Sequence, residues 1–283
     1  SVKKMLEDAG FTDTESIVTS KNTYVAPFVN AEEAQYLVIE NAFPNGRPAL
    51  ENAGVMFTSR ETVEKVERMK VCTCLNPLHT ALAVYGCLLG YTKISDEMKD
   101  ADLVKLVEII GYKEGLPVVT DPGILSPKKF IDEVLQIRVP NPFMPDTPQR
   151  IACDTSQKLS IRFGETIKEY MASSELDVKS LKFIPMVQAG WCRYLLGVDD
   201  ELNAFTVSPD PMYEELAGKL AGVKVGESCD VHAVLSPILS DAKIFGVNLY
   251  EAGLGEYVES IFAELIAGKG AVRETLKRHL AEA

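Results

Sequence analysis

The chain has 283 residues, 46% of them hydrophobic and 25% charged, enough to bury a large core as one domain or as one domain with an appendage. Its 41 acidic and 29 basic side chains leave a formal charge of -12, and no run of Lys and Arg forms a stripe that could neutralise phosphates, which argues against nucleic acid as a partner. The longest apolar stretches, such as Thr80 to Leu89, stop well short of the roughly 20 residues a membrane span needs, so no membrane partner is expected.

At the N-terminus Lys3 and Lys4 run straight into Glu7 and Asp8, unlike a secretory signal, and the expected compartment is the cytoplasm. Cys72, Cys74, Cys87, Cys153, Cys192 and Cys229 lie among apolar neighbours with no Cys-x-x-Cys spacing, the pattern of reduced core thiols. Cys72, Cys74 and His79 invite a zinc reading, but a structural zinc needs four ligands and no fourth is suggested; no metal is expected.

In chain order, Thr23 to Val29 alternates loosely, Tyr36 to Ile39 is a short β-prone run, and Phe43 to Pro48 is a turn-rich loop. These strands find few partners in the rest of the chain, and an isolated pair is only marginally stable. Residues 1–60 therefore read as a short α/β remnant of something else. From Glu61 onward the periodicity is helical, so residues 61–283 are expected to be mainly α and multi-helical.

Ser126-Pro127 opens one helix as cap and first-turn proline, with Phe130, Ile131, Val134 and Leu135 on its apolar face. The proline cluster Val139 to Pro145 is a stiff connector that sets where the next helix begins. Asp146-Thr147-Pro148 opens that helix, which the pattern carries to about Met171, burying Ile151, Leu159, Ile161, Phe163 and Ile167, with Gly164 as a candidate interruption. A third helix runs from about Asp177 to Leu196 and ends at Gly197, where a left-handed residue is easily accommodated. Two more, roughly Glu256 to Ala267 and Ala271 to Ala281, flank the Gly268-Lys269-Gly270 break.

No dinucleotide fingerprint is found. The nearest candidate, Gly253-Leu254-Gly255, has Val258 where the third glycine should be, and Gly218, Gly222 and Gly226 are spaced as turn glycines. The densest polar interruption of an apolar run is Lys70 to Leu82. Asn76 and His79 are three apart and face the same side of a helical turn, and Pro77 makes a helix either start with Asn76 as its cap or kink there. Pattern alone favours a cap followed by a core histidine bonded to a backbone carbonyl. Arg150, Asp154 and Lys158 fall on one helical flank at four-residue steps, by itself the ordinary lacing of a solvated face.

Several stretches together resemble the long-chain mannitol dehydrogenase family, whose members include mannitol 2-dehydrogenases, arabinitol dehydrogenases, and fructuronate and tagaturonate reductases. They are Val38-Ile-Glu-Asn-Ala-Phe43-Pro44-Asn-Gly46-Arg47-Pro48, Gly54-Val55-Met-Phe57, Lys70 to His79, Asn141 to Leu159, and Ala189-Gly-Trp191-Cys-Arg193-Tyr194-Leu195. The resemblance implies an N-terminal Rossmann-type domain followed by a helical C-terminal one, NAD or NADP as cofactor, and no catalytic metal. Only the second domain is matched, so residues 1–60 are expected to be the trailing segment of a dinucleotide-binding domain and 61–283 the substrate-binding and catalytic domain.

By position, the resemblance makes Lys70 the catalytic lysine, Asn76 and His79 the carbonyl-polarising and orienting pair, and Arg150 and Lys158 substrate-binding cations. The family's lysine precedes its asparagine by five residues and Lys70 precedes Asn76 by six; a one-residue helical bulge before Pro77 would absorb the difference. The implied reaction interconverts fructuronate and mannonate, with a mannitol or other polyol dehydrogenase as the alternative, and a non-catalytic helical module binding a sugar acid or a partner surface as a third reading. The implied partner is a small-molecule sugar acid or polyol, and the sequence specifies no oligomeric state. A lysine of ordinary pKa near 10.4 must be lowered by roughly 3 units, ~4 kcal/mol, to act as a base near neutrality. Burial with Arg150, Lys158 or a protonated His79 nearby would act in that direction, and such a cationic pocket on an acidic protein suits an anionic substrate.

Overall fold

The chain divides between Leu37 and Val38, and the computed structural model describes residues 2–12, 14, 15, 17, 18, 24, 25, 36–144 and 146–283. In the first unit, α1 (Val2–Asp8) is followed by a two-residue antiparallel pair, β1 (Ile17–Val18) and β2 (Tyr24–Val25). Of the alternating run expected over Thr23 to Val29, only Tyr24 and Val25 lie within the described residues.

The compact unit that contains the helices begins at Val38, because residues 38–58 are folded with them. β3 (Val38–Glu40) pairs in parallel with β4 (Met56–Thr58), Ile39 opposite Phe57, and β3 packs on α2 (Arg60–Met69), which Ser59 caps by accepting from the Thr62 N–H. The Arg47 guanidinium closes the loop between the strands, stacking 3.4 Å from the Phe57 ring centroid and donating to Asn41 Oδ1 at 3.1 Å. Val38 and Ile39 of the β-prone run and the turn-rich loop are thus local structure of the second unit, which is mainly α.

After α2 a π-helical turn, Lys70–Cys74, leads into α3 (Asn76–Leu88), making one continuous helical run of 29 residues, Arg60–Leu88. That run is long and apolar enough to cross a membrane, longer than the interrupted stretches suggested, but 83% of its apolar window is buried inside the protein. It is a core helix. Short α4 (Ile94–Glu97) and α5 (Ala101–Glu108) follow, then a second π turn, Ile109–Gly115. Next comes α6 (Pro127–Glu133), capped by Ser126 as expected and extended by a third π turn, Val134–Arg138; Phe130, Ile131, Val134 and Leu135 are all buried.

The long helix expected from Pro148 to Met171 does not form. α7 (Pro148–Ile151), capped by Thr147, ends after one turn; a 3-10 turn (Thr155–Gln157), a fourth π turn (Ser160–Gly164) and α8 (Glu165–Ala172) replace the remainder. The break lies at Asp154, whose φ of 51° is left-handed, and not at Gly164. Gly164 has a different task, since a Cβ there would lie 2.2 Å from the Phe245 carbonyl oxygen. Leu159, Phe163 and Ile167 are buried as expected, whereas Ile161 is exposed.

α9 (Phe183–Tyr194) is the axis of the unit: all twelve residues are buried between α3 and a later helix, α13. Gly190 lets α3 approach, since a Cβ would meet Tyr85 at 3.0 Å, and the Tyr85 hydroxyl donates to Met186 O at 3.1 Å. Arg193, also buried, donates to the carbonyls of Leu265, Val198 and Asp199, so it ties α9 to its neighbours. The chain closes with α10 (Tyr213–Leu220), which contains Gly218 in place of the turn expected there, α11 (Val231–Leu239), α12 (Ala242–Phe245), α13 (Gly255–Leu265) and α14 (Ala271–Ala281). All six cysteines are free thiols.

The start of α9 is capped from 68 residues away. Glu114, on the second π turn, accepts from the backbone N–H groups of Lys182 (2.6 Å), Phe183 (2.7 Å) and Ile184 (2.7 Å). Burial pushes the Glu114 carboxyl up, and the three N–H groups pull it back. Glu114→Ala leaves buried donors without acceptors and is expected to destabilise the chain by roughly 3 kcal/mol or more. Urea unfolding followed by circular dichroism measures this; a loss below about 1 kcal/mol would show that water replaces the carboxylate.

Candidate active site

Lys70 opens the first π turn. The Leu75 N–H donates to the Lys70 carbonyl at 3.1 Å, a five-residue step that inserts one residue relative to an α-turn, and this is the bulge the spacing called for. The Lys70 side chain is one-third exposed, with Nζ 3.9 Å from Glu67 Oε2. Asn76 is the first residue of α3 and does not cap it; the cap position falls to Leu75, whose backbone leaves the helical region. The Asn76 amide has no hydrogen-bond partner among the described residues, while its carbonyl accepts from Thr80 Oγ1 at 2.8 Å.

His79 lies one turn further along and lines a recess with Ser95, Arg138, Met144 and Asp146. Its ring makes no hydrogen bond among the described residues, so no carbonyl partner of the kind expected for a core histidine is found there. Burial pushes His79 down to about 4; Asp146 opposes this, and Arg138, Arg162 and Arg150 push further in the same direction. At neutral pH the imidazole carries no charge. A protonated His79 is therefore not among the cations of the site.

Arg150 and Lys158 do not share a helical flank, because the chain turns at Asp154 between them. The cause is tertiary. Asp210 accepts from Ser156 N (2.8 Å), Ser156 Oγ (2.5 Å) and Met212 N (2.9 Å), and the Asp154 N–H donates to Pro209 O at 2.8 Å. These bonds replace the i to i+4 ladder that a helix through 152–158 would have made. Arg150 stays exposed and pairs with Asp146 one turn back. Lys158 is half-buried and donates to the Cys153 carbonyl; burial, then Arg162, lowers its pKa.

Sequence reading passed over Arg162, Arg138, Asp146 and Asp210. Arg162 stands four residues after Lys158, the same step that singled out Lys158 from Asp154, but it is hidden between Ile161 and Phe163. Its Nη1 donates to Thr80 Oγ1 at 2.7 Å, and burial pulls it down to about 10. Three of the four π turns thus carry a cation of this region: Lys70, Arg138 and Arg162.

Among the described residues no three His, Cys, Asp or Glu side chains gather as metal ligands, and burial pushes the Cys74 thiol up to about 12. Gly253 and Gly255 are packing glycines: a Cβ on Gly255 would lie 2.4 Å from the Tyr250 ring, which leaves no phosphate cradle there. The arrangement offers amide, imidazole, ammonium and guanidinium groups suited to a polar, anionic ligand.

Residues 62–262 match the family model described as the mannitol dehydrogenase C-terminal domain. The chain is 60% identical over 280 residues to a D-mannonate oxidoreductase of Thermotoga maritima, covering 98% of this chain and 51% of that one. It is 31% identical over 225 residues to mannitol dehydrogenase 2 of Saccharomyces cerevisiae, 78% of this chain and 43% of that one. Its fold matches a Pseudomonas fluorescens mannitol 2-dehydrogenase, solved as a ternary complex with NAD and D-mannitol, with a TM-score of 0.73 at 24% identity over 95% of this chain and 54% of that one. The chain spans about half the length of the relatives it matches. It belongs to the mannitol dehydrogenase family and carries that family's C-terminal domain at residues 62–262.

Proposed function

We propose that this chain is the substrate-binding and catalytic half of an NAD(P)-dependent oxidoreductase interconverting fructuronate and mannonate. The observation that carries this reading is the Asn76 amide, without a partner among the described residues, one turn from a neutral His79 and one π turn from Lys70. The relative at 60% identity is a D-mannonate oxidoreductase, which favours a sugar acid over the polyols of the 31% relatives.

A bound nicotinamide, NAD or NADP, supplies the hydride in reduction and takes it in oxidation. Negative charge builds on the substrate's keto oxygen as the hydride arrives. Asn76 donates an amide hydrogen bond to that oxygen from a fixed helix start, which costs no reorganisation during the reaction. Neutral His79 donates or accepts at the neighbouring hydroxyl and orients the sugar. Lys70 gives a proton to the oxygen in reduction and takes it back in oxidation. Arg150 and Lys158 add positive potential toward which an anionic sugar is drawn.

In the full-length enzyme Lys70→Ala is expected to lower the chemical step about 10²-fold or more while leaving cofactor binding intact, read by single-turnover kinetics beside a cofactor titration; a near-normal rate assigns the proton to another group. The 283 residues alone are expected to oxidise no NADH with fructuronate, since the residues assigned here serve the carbonyl and none cradles phosphates. Turnover by this chain alone would refute the division of labour. The His79 ring signals are expected to titrate with a midpoint near 4 by NMR; a midpoint of about 7 or above would make the ring substantially cationic at neutral pH and remove its neutral role.

A further inference from the structure

Arg162 is the cation of this region whose charge the described residues leave unanswered. A guanidinium presents five N–H donors in a planar fork, and burying it is costly unless those donors and the charge find partners. Arg193, buried and likewise pulled down to about 10, meets three backbone carbonyls. Arg273 meets Asp100 and Asp102, and Arg150 meets Asp146. Arg162 has one neutral hydroxyl, Thr80 Oγ1, and no carboxylate within salt-bridge distance among the described residues.

Its location suits a ligand. Thr80 passes the bond on to the Asn76 carbonyl, so one edge of the guanidinium is fixed against the turn that carries Asn76. Arg162 is close enough to His79 and to Lys158 to lower the pKa of both. Lys158 spends a donor on the Cys153 carbonyl and Arg150 is occupied by Asp146, so neither matches the planar two-oxygen geometry of a carboxylate as the free edge of Arg162 does.

We propose that Arg162 binds the substrate's carboxylate and is the residue that makes this site select sugar acids over neutral ketoses. The proposal rests on the sugar-acid reading given above. A carboxylate would complete the half-buried guanidinium's bonds, whereas the hydroxymethyl group of a neutral sugar would leave the charge uncompensated.

The test compares kcat/KM for fructuronate and fructose in the full-length enzyme, wild type against Arg162→Met, Arg162→Lys and Thr80→Val. Charge-assisted hydrogen bonds of ordinary strength predict that Arg162→Met loses about 10²-fold on fructuronate and changes fructose by less than about 3-fold, the fructose rate reporting that the fold is intact. Arg162→Lys should recover part of the loss, and Thr80→Val, which keeps the guanidinium, should keep the acid preference. An acid preference that persists in Arg162→Met overturns the proposal and leaves the sugar-acid reading standing. So does an equal loss on both substrates, or a Thr80→Val variant that loses the preference as fully, because either would make Arg162 a support of the Asn76 turn. A wild type without preference for fructuronate overturns the sugar-acid reading itself, and this proposal with it.

Discussion

The hydrogen bond from the Leu75 N–H to the Lys70 carbonyl sets the direction in which every side chain of α3 points, and the candidate site depends on it. Each residue of an α-helix turns the chain by about 100°, so one added residue rotates everything beyond it by that amount relative to what precedes it. The π turn supplies that added residue between Lys70 and Asn76, ahead of the almost wholly buried α3. With it, six residues span what five span in a regular helix. The same insertion leaves Leu75 outside helical geometry and puts Asn76 at the first position of α3, where its side chain bonds none of the described residues and can meet a ligand.

The surrounding structure keeps these groups in place with carboxylates used as backbone acceptors. Glu114 caps α9, Asp210 holds the turn that carries Lys158, and Asp200 accepts from Val272 N and Arg273 N at the start of α14. Each joins elements far apart in sequence, and each meets N–H groups that would otherwise be left without partners at an element's start. An excess of acidic residues is thus partly structural. The cations have fewer such partners around the recess: Asp146 is the carboxylate that acts on His79, against three arginines. Burial and these arginines keep the imidazole neutral.

Local chemistry was legible wherever a cap or turn residue acts within its own element. Ser126, Gly197 and the Gly268 to Gly270 break fall where sequence reading put them, and α14 runs over Ala271–Ala281 as expected. Asn76 and His79 stood out because polar side chains interrupt an apolar run, and Lys70 through the family resemblance, whose one-residue mismatch in spacing coincides with the π turn at Lys70–Cys74. Reading failed where a distant partner competes with the local ladder. Pro209 and Asp210 pull the chain at Asp154 out of a helix that periodicity alone would have continued, and they separate Arg150 from Lys158. Arg162 escaped notice because nothing in its neighbourhood along the chain says that its charge goes unpaired.

By itself, then, the sequence determined a mainly helical domain, its family, and the residue types available for carbonyl chemistry, because apolar periodicity, capping and motif spacing act over a few residues at a time. Only the tertiary structure decided that His79 is neutral, that residues 38–58 fold with the helices, that the 148–171 segment is broken, and that Arg162 meets no anion among the described residues. Ionisation, burial and charge balance depend on groups brought together from distant parts of the chain, as Thr80 and Arg162 are across 82 residues, and no short window of sequence contains both partners.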